Sequence, residues 1–223
     1  MKMVHSELSG EIISESAAFT EWIIESPEYF SEYLQELYWQ YEKADGRFVL
    51  SQGDKILELS KYLEIIVNPL AVEINSRKIL SKLYINLEKI SKEEQMYEKT
   101  LELTAYIHEY LMQLEQQTNY FLSFDDSLEI PALLKAVGIK HEEMEEDFFE
   151  RIIRYVKITV EILLIKVFVF VNVRSYLTDD QVQELIKEIR YQDAKILFME
   201  SQERACLEGG MRYIIDRDGC EIY

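Results

Sequence analysis

Cysteine and glycine are scarce in this sequence, and their scarcity excludes several kinds of site. The two cysteines, Cys206 and Cys220, are too few and too late in the chain for a disulfide framework or a zinc pattern, so we expect reduced thiols. None of the seven glycines precedes a lysine, so there is no Gly-Lys-Ser/Thr phosphate loop, and no Gly-x-Gly-x-x-Gly occurs either. Nucleotide hydrolysis is therefore disfavoured, and we expect a protein that is not an enzyme.

The chain also lacks a segment long and apolar enough to cross a bilayer. Its longest apolar stretch is interrupted by Glu161, Lys166 and Arg174, well short of the roughly 20 residues that a membrane span needs. The N-terminus has no apolar core of a signal peptide, so we expect a cytoplasmic protein. With 24 basic and 42 acidic residues the formal charge is −18, so any nucleic-acid site must be locally basic or helped by cations.

The apolar stretch Leu163–Ser175 predicts the fold class. An unbroken apolar run rich in β-branched and aromatic residues indicates a strand buried on both faces, and we expect it at the centre of a parallel sheet. A capping box at 178–181 and a second strand at 195–199 follow. Between them lies an apolar helix face of Val182, Leu185, Ile186 and Ile189. This β-α-β unit predicts an α/β fold with a mainly parallel sheet.

The rest of the chain divides by its periodicity. A helix is predicted to begin at the Ser26 cap, and short strands are predicted at 12–13, 19–24, 48–51, 56–59, 63–67 and 212–216. Helical periodicity then dominates, with helices from an Asn75 cap to Ile90, from a capping box at 91–94 to Gln117, over 131–137, and from about Glu142 onward. We therefore predict an α/β head of residues 1–74 and 162–223 with an inserted helical leg of residues 75–161.

Lysines recur on the first helix of the predicted leg. Their spacings of four, seven and three place them on one helical stripe opposite Leu83 and Leu87. Such a stripe is either a solvated helix face or, in a groove or ring, a track for a duplex backbone. The lysines are Lys78, Lys82, Lys89 and Lys92.

An acidic segment, Asp125–Glu129, precedes the helix predicted at 131–137. Clustered carboxylates suit calcium, which accepts six to eight oxygen ligands, but the segment is not an EF-hand loop. Asp126 and Glu129 could instead cap the following helix. Both interpretations stay open on spacing alone.

Six stretches, taken in order, carry a resemblance to a known family. Together they resemble the Csn-two family, the ring-forming CRISPR-associated proteins of type II-A systems. They are Trp22–Pro27, Phe48–Ser51, Leu63–Pro69, Asn75–Leu83, Phe170–Leu177 and Ile214–Tyr223.

The resemblance implies a fold and a function for this chain. It implies a head like a degenerate phosphate-loop fold, an extended helical leg and a homotetrameric ring. It also implies calcium-dependent, sequence-independent binding of double-stranded DNA ends, without nuclease activity, in support of the acquisition of new spacers. The acidic hinge of the family falls on Asp125, Asp126 and Glu129.

The lysine stripe is the candidate for the lining of the ring hole. Lys135, Lys140, Arg174 and Arg190 are competing basic candidates. The alternative function is a non-enzymatic scaffold that holds the adaptation integrase and the RNA-guided nuclease of the same system. An acidic exterior suits that scaffold, and in it DNA binding would be incidental.

Overall fold

A six-stranded sheet dominates the computed structural model, which describes residues 1–42 and 44–223. Its strand order is β10-β9-β3-β8-β7-β6, and every pairing is parallel except that of β10 with β9. This confirms the predicted α/β class and the mainly parallel sheet. The strands are β3 (Phe19–Ile24), β6 (Leu63–Ile66), β7 (Val167–Val171), β8 (Lys195–Glu200), β9 (Met211–Ile215) and β10 (Glu221–Ile222).

The most apolar strand is not at the centre of the sheet. All five residues of β7 are buried, as predicted, but β7 lies between β8 and the edge strand β6. The centre belongs to β3 and β8, so the predicted central position of β7 was wrong. An apolar run reports that both faces are covered and does not report the position in the sheet. The central strand β3 contains Thr20 and Glu21, which interrupt its own apolar run.

A second, antiparallel sheet has the strand order β2-β1-β4-β5. Its last two strands correspond to the strands predicted at 48–51 and 56–59 and form a hairpin. Gly53 in their turn has a φ of 54°, a left-handed conformation that favours glycine. The strands are β1 (Lys2–His5), β2 (Glu11–Ile13), β4 (Phe48–Gln52) and β5 (Lys55–Leu57).

Helices α1 (Pro27–Tyr41) and α7 (Asp179–Tyr191) begin at the predicted caps. The Ser26 hydroxyl accepts the backbone N–H of Tyr29, and Thr178 forms a capping box with Gln181. The predicted apolar face of α7 is fully buried. A short helix, α2 (Leu59–Tyr62), precedes β6, and single 3-10 turns span Pro69–Ala71 and Val173–Ser175. Among the residues described, none of the helices has the length and apolar character of a bilayer span.

The chain divides into two compact units, residues 1–74 with 144–223 and residues 75–143. Helix α6 (Phe148–Leu163), which the sequence interpretation assigned to the leg from about Glu142 onward, lies in the first unit. It begins later because Asp147 and Glu150 form a capping box there, whereas the preceding carboxylates would repel one another on a helix. Its apolar face is buried at Ile152, Val156 and Ile162.

The second unit contains helices α3 (Arg77–Ser91), α4 (Glu94–Gln116) and α5 (Ile130–Ala136). Two predicted caps were wrong. The cap of α3 is Ser76, whose hydroxyl accepts the N–H of Ile79, and α4 has no side-chain cap because the Ser91 hydroxyl donates to the Glu88 carbonyl. Asn75 instead exchanges two hydrogen bonds with the backbone of His141, of 2.9 and 3.1 Å, which join the two ends of this unit.

Candidate functional site

Three of the predicted lysines lie along one side of α3. Lys78, Lys82 and Lys89 fall within a sector of about 40° on the helix, by its 3.6 residues per turn. Lys78 and Lys89 are exposed and Lys82 is half-buried. The buried residue of α3 is Ile79, whose side chain is 1% exposed and which lies about 60–100° around the helix from the three lysines. The helix thus presents its positive charges together.

Lys92 lies at the C-terminal end of α3 and is paired with a glutamate of the same helix. It follows the last residue of α3, and its ammonium lies 2.7 Å from a carboxylate oxygen of Glu88. Such an exposed pair contributes little to stability, about 0–1 kcal/mol, but it offsets the charge of Lys92 locally. The charge of Lys92 is therefore partly neutralised by Glu88.

The competing basic candidates are placed very differently. Arg174 is buried and cannot line a surface that contacts DNA. The Lys140 ammonium lies 2.6 Å from Glu143, whereas Lys135 and Arg190 are exposed. Lys135 belongs to α5, which packs against α3. Of these candidates, Lys135 therefore shares its packing neighbourhood with the lysine stripe.

The acidic segment is exposed at Asp125, Asp126 and Glu129. Its path is fixed from α4, since His108 Nε2 lies 3.1 Å from the carbonyl oxygen of Asp125 and its ring centroid is 5.0 Å from that of Phe124. Glu129 occupies the N-cap position of α5, but its side chain makes no capping hydrogen bond. The capping alternative is thus not what holds these carboxylates.

These carboxylates do not form a ready cation site in this arrangement. Within residues 1–42 and 44–223, no three His, Cys, Asp or Glu side chains are grouped so that they could hold a metal ion. Calcium needs several oxygen ligands at 2.3–2.6 Å, so binding at Asp125, Asp126 and Glu129 stays a prediction.

A buried charge cluster in the first unit is the feature that sequence reasoning missed. Glu21 lies in β3 opposite Arg212 of β9, whose guanidinium is 2.9 Å from it. Arg174, from the turn after β7, donates to the other oxygen of Glu21 and, at 2.9 Å, to Asp179. Its own backbone N–H donates to Glu200 at 3.1 Å. The signal in the sequence was the presence of Glu21 and Glu200 in the largely apolar strands β3 and β8.

Burial changes the acidity of this cluster. It raises the pKa of Glu200 to about 7, although the N–H of Arg174 and the charges of Arg204 and Arg174 favour the carboxylate. Arg174 Nε is buried and has no hydrogen-bond partner among the described residues. Because the charged groups largely satisfy one another, the cluster joins β3, β9 and the turn after β7 and offers no open ligand site.

Comparison with known proteins identifies the family. The family model for CRISPR-associated protein (Cas_Csn2) matches residues 40–219. The chain belongs to the Csn2 family. A CRISPR-associated protein Csn2 of Enterococcus faecalis is 25% identical over 187 residues, which cover 83% of each chain. A second, from Streptococcus agalactiae, is 26% identical over 195 residues, which cover 87% of this chain and 86% of the relative.

The Csn2 match covers some of these features and not others. The lysine stripe, the acidic segment and the Arg174, Glu200 and Arg212 members of the buried cluster lie within residues 40–219. Glu21, the strands β1 to β3 and most of helix α1 precede them. Membership of the Csn2 family confirms the resemblance drawn from the sequence and assigns the protein to the CRISPR-associated proteins.

Proposed function

We propose that this protein is a non-enzymatic, cytoplasmic DNA-binding protein that supports the acquisition of new spacers. In this proposal a homotetrameric ring binds the ends of double-stranded DNA without sequence preference and depends on calcium. The observation that carries it is the lysine stripe of α3 in a chain whose formal charge is −18.

The length of the lysine stripe suits a contact with the phosphate backbone of duplex DNA. From Lys78 to Lys89 it extends about 16 Å along the helix axis, at 1.5 Å per residue. Duplex DNA carries one negative charge per about 1.7 Å of its axis, so three lysines over this length meet several phosphates. Phosphate contacts carry no sequence information, which accounts for binding without sequence preference.

Assembly is supported by the second unit. Helix α4 has no buried residue, and four of its large apolar and aromatic side chains are more than half exposed. Exposed apolar and aromatic side chains on one helix favour a contact with another chain. They are Tyr97, Leu101, Tyr106 and Tyr110, which are 53–69% exposed.

The deciding experiment compares linear and covalently closed circular duplexes of equal length in a gel shift, with calcium and with chelator. Binding confined to linear DNA in calcium is the expected result, because a closed ring must thread over an end. Equal binding to both forms would contradict threading. Equal binding with chelator would contradict the calcium dependence assigned to Asp125, Asp126 and Glu129.

A matched pair of variants tests the stripe. Lys82→Glu with Lys89→Glu is expected to abolish the gel shift while the oligomeric state in size exclusion stays unchanged. Lys55→Glu with Lys187→Glu changes the net charge equally at exposed positions of the first unit and serves as the control. If both pairs weaken binding alike, the stripe is a solvated helix face.

The alternative is a scaffold that holds the adaptation integrase and the RNA-guided nuclease. The acidic surface of the chain favours it, because complementary charge steers association with basic proteins. A pull-down of both proteins that survives nuclease treatment, together with a failed gel shift, would favour the scaffold over DNA binding.

A further inference from the structure

Helix α1 forms one wall of an open groove of about 840 Å³ in the first unit. Four residues recur along the outer side of the helix at spacings of four, three and four, within a sector of about 60°. The segment Asp45–Arg47 forms the opposite wall. The four residues of the helix wall are Glu28, Glu32, Gln35 and Trp39.

The aromatic part of this groove is open to solvent. Trp39 is 60% exposed, whereas the other tryptophan, Trp22, is fully buried in the core. An exposed tryptophan beside a concave surface is typical of an interaction site, since tryptophan supplies a large share of the binding energy in interfaces. It also attracts cations over its ring face.

The groove is acidic, and its geometry is fixed. Arg47 binds Glu36 through its backbone N–H at 2.8 Å and through its guanidinium, and these bonds hold the pKa of Glu36 at about 2. The Gln40 amide binds both the N–H and the carbonyl of Phe48, at 3.0 and 2.6 Å. A Cβ at Gly46 would lie 2.4 Å from the Gln40 side chain, so the loop sits directly on the helix.

The charge of the lining selects the class of occupant. The described lining residues include four carboxylates against one guanidinium, that of Arg47, which is already engaged by glutamates. Nucleic acid and acidic peptides are therefore repelled. Glu28 and Glu32 keep acceptor capacity. Among the described contacts, Glu28 receives the Ser26 hydroxyl and its own backbone N–H, and Glu32 receives a 3.4 Å contact from Arg47.

We propose that this groove binds an arginine-bearing, basic segment of another protein. One guanidinium stacks on the Trp39 indole and a second pairs with the carboxylates of Glu28 and Glu32, a combination of flat stacking and forked hydrogen bonds that arginine provides and lysine does not. This binding site is separate from the lysine stripe and does not depend on DNA binding. It gives the acidic surface of the chain a defined place of contact.

Tryptophan emission provides the test on the full chain. The probe is a capped peptide of alternating glycine and arginine, with a lysine counterpart for comparison. We expect a saturable change in emission with the arginine peptide and an affinity at least fivefold weaker with the lysine peptide. Trp39→Phe should remove the change, since the remaining Trp22 is buried.

Charge-matched variants separate the groove from general attraction. Glu28→Gln with Glu32→Gln should weaken the affinity for the arginine peptide at least fivefold. Glu98→Gln with Glu102→Gln, which changes an exposed pair on α4, should leave this affinity unchanged. Equal weakening by both pairs, or no saturable signal, would overturn the proposal. A change of oligomeric state in Trp39→Ala would show a second copy as the occupant and would also overturn it.

Discussion

Arg174 and Glu21 are 153 residues apart in sequence and form an ion pair whose two side chains are each 2% exposed. Arg212 completes the pairing of Glu21 from the neighbouring strand. A buried charge that loses its partner retains the cost of leaving water, so removing one member of such a cluster is far more costly than breaking a surface pair. The relation between these residues therefore makes a direct prediction about stability.

Arg174→Met should lower the free energy of unfolding by about 3 kcal/mol or more, because Glu21 then keeps only Arg212. Urea unfolding followed by circular dichroism measures the loss. Lys157→Met is the control, since it breaks a surface pair with Glu188 and should cost less than about 1 kcal/mol. Adding Glu21→Gln to Arg174→Met should recover part of the loss, and full additivity of the two changes would contradict the pairing.

The raised pKa of Glu200 predicts that the free energy of unfolding falls as pH rises. Its pKa in the folded chain is about 7, above the ordinary value of 4.5, so the folded state binds more protons between these values. The contribution of Glu200 to the free energy of unfolding is complete below about pH 4.5 and is lost as pH rises through 7. The shift in pKa corresponds to a change of about 3 kcal/mol.

Glu200→Gln should abolish this dependence while keeping an acceptor for the Arg174 N–H. Urea unfolding at pH 5, 6.5 and 8 should therefore show that the free energy of unfolding of the variant increases relative to that of the parent protein as pH rises. Glu208→Gln, at an exposed position in the connection that follows β8, should show a constant difference. A parallel pH dependence in parent and Glu200→Gln would refute the role of this carboxyl group.

The lowered pKa of Glu221 predicts the opposite trend, a free energy of unfolding that falls in acid. Burial raises the pKa of Glu221, but hydrogen bonds from Ser9, Tyr223 and Tyr213 outweigh it and lower the pKa to about 2. The stabilisation is present above about pH 4.5 and is lost as pH falls through 2. Glu221→Gln should cost about 1–2 kcal/mol at pH 7, from weakened charge-assisted hydrogen bonds, and much less at pH 2. Thermal unfolding at both pH values measures the difference.

The lysine stripe predicts the salt dependence of DNA binding. Replacing Lys78, Lys82 and Lys89 by glutamine should reduce the slope of log K against log salt by about 0.9 for each phosphate contact that is lost. The loss should be the same for duplexes of different sequence, since phosphate contacts carry no sequence information. Fluorescence anisotropy with two unrelated duplexes over a series of salt concentrations measures both. A loss that differs between the duplexes would indicate base contacts.

Local signals in the sequence predicted local structure well. The capping box of α7, the strands around it and the lysine stripe of α3 each depend on residues within a few turns of one another, so the spacing alone carries the information. Signals that compete locally were harder to rank. Asp147 begins α6 although several carboxylates before it resemble a helix start, and Ser76 begins α3 although Asn75 is an equally good cap by residue type.

Pairings between distant segments could not be predicted. Nothing within the strand around Glu21 indicates that Arg174 and Arg212 will face it, because that contact depends on the order of strands in the sheet. The groove beside Trp39 likewise depends on a loop that returns to the helix through Gln40 and Phe48. The lysine and carboxylate candidates came from composition within single segments, and their roles stay predictions.

The position of β3 between β8 and β9 sets the order of events during synthesis. Its neighbours β8 and β9 begin about 170 and 190 residues later in the chain. At about 5–20 residues per second, the nascent chain carries Trp22, Ile23 and Ile24 without their partners for roughly 10–40 s. The sheet thus closes around β3 only after both β8 and β9 have been synthesised.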